Sequence, residues 1–164
     1  MKTSNQQEVG RGSAWAKLAG VALLAFGLGL PAFAALGGDL SSVEADQAHM
    51  KASIKVTEAP SYTVHEIKTP MGTIVREFAS SGGTVFAVAW RGPSMPPMQQ
   101  ILGTYFQQFS AGVEAHHAAH VRRAPLNIQE PGLVVQNSGH PRGYFGRAYI
   151  PGMLPQGVTP EQIR

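Results

Sequence analysis

The chain has 164 residues and a formal charge of +3, 43% of its residues are apolar and 14% charged, and it contains 19 glycines, 12 prolines and no cysteine. That length suggests one domain with short elements and many turns. The missing cysteine excludes structural disulfides, thiolate nucleophiles and lipid attachment at an N-terminal cysteine, so stability must come from a hydrophobic core.

Residues 1–34 read as a secretory signal peptide. Lys2, Arg11 and Lys17 form a basic leader, Leu18 to Leu30 is an uncharged apolar run, and Pro31 ends it. Ala32-Phe33-Ala34 then supplies a small-x-small cleavage site, between Ala34 and Ala35. The apolar run falls well short of the roughly 20 residues needed to span a bilayer, so no stable membrane span is expected in the mature form. Much of the positive charge belongs to the leader. The remainder, residues 35–164, is close to neutral and gives no electrostatic case for nucleic acid.

Within the mature chain, Ser41-Ser42-Val43-Glu44 fits a capping box. A short helix is expected from there to about Ala52, and residues 35–60 are assigned to this helix and a linker. Tyr62 to Thr69, Thr73 to Ala79 and Thr84 to Trp90 follow as three strand-like runs. Pro70-Met71-Gly72 and Ser80 to Gly83 separate them, which predicts an antiparallel meander. The third run is apolar at nearly every position and should lie centrally, buried on both faces. Ile74 and Phe78 share a face in the second, with Arg76 between them.

Arg91 to Pro97 breaks the sheet, and a long helix should begin near Pro97. Met98, Leu102, Tyr105, Phe106, Phe109 and Val113 recur at three- and four-residue spacing, the strongest amphipathic signal in the chain. Gly112 either ends or weakens this helix, and Pro125 forbids much extension. Leu133 to Gln136 reads as a short strand, Asn137 to Gly143 as a turn-rich link, and Tyr144 to Ile150 as a last strand with Gly146 as a possible bulge. Residues 151–164 read as a loop-rich tail with a final turn of helix at Pro160. The predicted fold is α+β: an antiparallel sheet of four or five strands in the order α-β-β-β-α-β-β, with one long helix on a face.

Several motifs taken together resemble domain-of-unknown-function family 2844: ALGGDLSSVEAD at the mature start, GTIVREFASSGGTVFAVAWRGP, the ILGTYFQQF helix and the closing GRAYIPGMLPQGV. Members are small exported proteins of proteobacteria. The resemblance implies export and a single conserved domain. It implies no activity and supplies no functional residue.

Three groups of residues are candidates for function. His116, His117 and His120 stand three and four apart, a spacing at which a helix presents paired imidazoles to a divalent transition metal. A stable site needs further ligands, Glu114 is the one nearby acid, and Arg122 and Arg123 repel a cation, so a solvated helix end is the plainer reading. The HExxH pattern is absent. Arg91, Tyr105 and Arg147 are candidates for ligand or anion binding. Arg91 follows the central strand. Tyr105, with Phe106 and Phe109, would line an apolar pocket if it did not simply pack on the sheet. Arg147 lies in the interleaved series Arg142, Tyr144, Phe145, Arg147, which strand alternation explains without nucleic acid. Ser138, His140 and Asp39 would assemble a triad only on paper, and no GxSxG elbow is present.

The sequence therefore favours an exported, periplasmic or secreted, non-enzymatic binding module with an envelope or extracellular partner and no cofactor. A metal-dependent hydrolase built on the histidines and an assembly factor pairing through an edge strand are the alternatives.

Overall fold

A computed structural model describes residues 36–40, 53–119 and 125–164. The cleavage site at Ala34 and Ala35, the helix expected up to Ala52, and His120 lie outside the described residues.

Among the described residues, seven strands form one antiparallel sheet: β1 (Ser53–Glu58), β2 (Tyr62–Lys68), β3 (Ile74–Ser80), β4 (Val85–Gly92), β5 (Leu126–Glu130), β6 (Leu133–His140) and β7 (Gly143–Tyr149). Their spatial order is β1-β2-β3-β4-β7-β6-β5. The chain thus lays down a four-stranded meander and crosses to the far edge through a helical segment. It then returns by a second meander until β7 pairs with β4. The α+β class agrees with expectation, but the sheet has seven strands rather than four or five. β1 and β5 are additional, and β6 runs through Asn137 to His140, the stretch read as a link. Pro141 and Arg142 make the β6–β7 turn, with Arg142 at φ 74°.

β4 is the spine. Val85 to Trp90 are all buried, as expected of a central strand covered on both faces. One face meets the helical segment. This comprises α1 (Met98–Leu102), a 3-10 turn (Gly103–Tyr105) and α2 (Phe106–Ala118). The single long helix expected from the sequence is broken at Gly103, whose φ of 50° leaves the helical region. Ile101 and Leu102 are fully buried beneath it, and Phe106, Phe109 and Val113 pack half-buried on the same core as Val75, Val88, Trp90 and Val135. Gly112 lies inside α2 and does not end it. A Cβ there would come within 2.7 Å of Ile128 on β5, so the glycine lets helix and strand touch.

The other face carries a second core of Phe78, Phe86, Ala87 and Ala89, sealed by Ile163 from the tail. The tail is not featureless. It forms two 3-10 turns, Pro151–Met153 and Pro160–Gln162, the second closed by a reciprocal Thr159–Gln162 capping box.

Candidate functional site

The tail covers the second face only in part, and the uncovered remainder is a groove of about 990 Å³. Strand register builds its floor. Side chains two apart on a strand share a face, and register partners stand side by side across strands. Glu66, Arg76, Ala89, Arg147, Gln136 and Asn127 are successive register partners from β2 to β5 and make one row. The neighbouring row on the same face is Ile74, Arg91, Phe145 and Ser138. Three arginines from three adjacent strands therefore surround Ala89.

Two of these arginines are committed to holding structure. Arg76 Nε donates to Glu66 Oε2 at 2.9 Å, the one ion pair among the described residues, and its Nη1 donates to the main-chain oxygen of Arg164 at 2.8 Å. Arg147 Nε donates to Gln136 Oε1 at 2.7 Å, and its Nη1 donates to the main-chain oxygen of Pro160. These bonds tie the tail down beside the groove, where Ile163 and Arg164 form a wall. Glu161, just beyond, is held below the usual carboxylate range, first by a hydrogen bond from the Thr159 hydroxyl, then by a backbone N–H and by the charge of Arg147.

Arg91 differs from the other two. It is exposed, and no described residue bonds or pairs with its guanidinium. Beside it, Phe145 is 53% exposed, unusual for an aromatic side chain in a sheet of this size. Among the described residues, four arginines line the groove and no carboxylate or histidine side chain does. Ser138 is a hydroxyl there without a base to activate it.

Arg91 and Arg147, singled out in the sequence for separate local reasons, thus share one site. Tyr105 does not belong to it. It lies on the helix side of the sheet, its ring 3.1 Å from where a Cβ on Gly37 would sit, and packs on Gly37 and Ile150. Beside it, residues 36–38 bond through their backbone to Ile101 and Val85. His116 and His117 sit in the last turn of α2, half-buried and exposed, with ring centroids 6.5 Å apart. Among the described residues, no group of three or more histidines and acids is arranged to hold a metal ion. Asp39 bridges to Thr84 at the start of β4, whereas Ser138 lies in the row of Arg91 at its other end, so the paper triad does not assemble.

Sequence reasoning passed over Arg76, Gln136 and the tail residues as parts of a site. Arg76 carried a signal, a cation alternating with Ile74 and Phe78, but its partner on β2 and its bond to the tail depend on register.

Among the described residues, no helix is long and apolar enough to cross a membrane. No curated protein matches the sequence, and no solved structure does. A family model matches residues 32–163, well over half of the chain: the chain belongs to the family described as Protein of unknown function (DUF2844).

Proposed function

We propose that the protein is an exported, non-enzymatic binding module, periplasmic or secreted after cleavage between Ala34 and Ala35, and that its ligand seats in the arginine-lined groove. The observation that carries the reading is the groove itself. Its volume is that of a small-molecule site, its walls combine apolar surface with a few placed polar groups, and rigid strands supply its floor. A binding role is favoured over catalysis because the lining offers donors but no acid–base pair and no activated nucleophile. The basic leader, apolar run and small-x-small site support export.

The test has two parts. Full-length protein expressed in a bacterial host is expected to leave the cytoplasm with Ala35 as its N-terminus, read by intact mass. Recovery in the cytoplasm with the leader attached would defeat the export half. For the groove, native mass spectrometry after exposure to an envelope extract is expected to find a small molecule retained by the parent protein and lost from Ser138→Tyr, which fills the floor. Equal retention by both would remove the groove from the reading.

A further inference from the structure

We infer that the groove takes an amphipathic anion with an oxyanion head: Arg91 binds the head, and Phe145 and Ile74 carry its apolar body. The inference rests on the groove being the binding site and adds the class of ligand. An arginine cannot shed its proton in a protein and presents five N–H donors in a planar fork suited to carboxylate or phosphate. Among the described residues, none bonds to the guanidinium of Arg91 and no carboxylate side chain lines the groove to neutralise it. Arg76 is neutralised by Glu66, whereas Arg147, one row away, bonds the neutral Gln136 and adds to the positive potential; both are also tied to the tail and do not compete for the ligand.

Of the three sheet arginines, only Arg91 has its guanidinium uncommitted among the described residues, so the sheet floor offers one seat for an oxyanion, while Arg164 stands on the tail wall of the same groove. The apolar body follows from the row that Arg91 occupies. Its two register partners are Ile74 and Phe145, and cross-strand neighbours stand about 5 Å apart at Cβ, so a ligand whose head reaches Arg91 lies on both. Covering the exposed Phe145 ring supplies the hydrophobic part of the affinity. A free carboxylic acid and a phosphate ester share this chemistry.

Octanoate, octyl phosphate and octanol separate the possibilities when titrated into the full chain, with calorimetry for affinity and NMR shifts at Phe145 and Ser138 for location. Both anions are expected to bind at the groove, and octanol at least about tenfold more weakly, the value of one charge-assisted contact. The tighter anion identifies the natural head. Arg91→Gln is expected to weaken both anions by about tenfold or more and leave octanol unchanged. Phe145→Ser should weaken all three. Octanol binding as tightly as the anions, or indifference of the anions to Arg91→Gln, overturns the inference while leaving a groove that binds. No shift at Phe145 or Ser138 with any probe also overturns it, and the extract experiment then judges the groove separately.

Discussion

At the scale of single residues, two glycines explain how closely the layers approach. Gly146 invites the expectation of a bulge, yet it stands in regular register between Trp90 and Asn137. The indole explains it. A Cβ at Gly146 would lie 2.4 Å from the ring, whose N–H donates to Asn137 Oδ1 at 3.2 Å. Gly146→Ala is therefore expected to destabilise by about 1–3 kcal/mol, the usual cost of overpacking, seen as a lower urea midpoint with an unchanged slope. Gly112→Ala should cost less, because better helix propensity returns about 1 kcal/mol against the clash with Ile128. Equal losses at the two sites would contradict this account. His65 makes a separate prediction. Burial lowers its pKa below the ordinary 6.5, so the fold favours the neutral ring. Its register partner Glu77 is itself buried. Below about pH 6.5 the unfolded chain binds the proton more readily than the folded one. Stability from this group is thus complete above that pH and falls as pH drops through the lower folded value. Urea midpoints measured from pH 8 downward should show this decline, and His65→Gln should flatten that part of the curve.

Elements differ in how openly the sequence announces them. The β2–β3–β4 meander was legible because Pro-Met-Gly and Ser-Ser-Gly-Gly punctuate strongly β-prone runs. β1 and β5 were not. Each has two apolar residues, Ile54 and Val56 or Leu126 and Ile128, and each pairs on one side with an inner strand that supplies most of its reason to be extended. The end of β6 was lost for a related reason: Asn137-Ser138-Gly139-His140 has the composition of a turn, and its ladder with β7 overrides it. The tail shows the limit of pattern reading most clearly. Its composition is that of a loop, yet Ile163 is 1% exposed against Phe78, Phe86 and Ala89. Ile163→Ala should cost about 2–5 kcal/mol, the range for emptying such a position, and should loosen the tail contacts of Arg76 and Arg147. An unchanged urea midpoint would mean that the second core closes without the tail.

Taken together, the described residues form a sheet with two unequal coverings, a helical segment on one face and a short tail on the other. The first covering was visible in the spacing of Met98, Leu102, Phe106 and Phe109. The groove exists because the second is incomplete, and nothing local in the sequence measures that. Arg91 drew attention as a cation after a buried strand, Arg147 as part of an aromatic–basic alternation, but their convergence requires β7 to pair with β4 across the whole helical crossover. Tyr105 belonged to the amphipathic pattern and was assigned to the right layer, but a side chain in that layer lies on the wrong side of the sheet for the arginines.

The same crossover governs the order of events as the chain folds. A chain that emerges N-terminus first, as from a translocation channel, presents β1 to β4 first, and the outer margin of β4, the greasiest strand of all, stays unzipped until Tyr149 emerges. A chain in that condition offers a sticky template to any neighbour, and a chaperone or rapid passage to β7 must cover it.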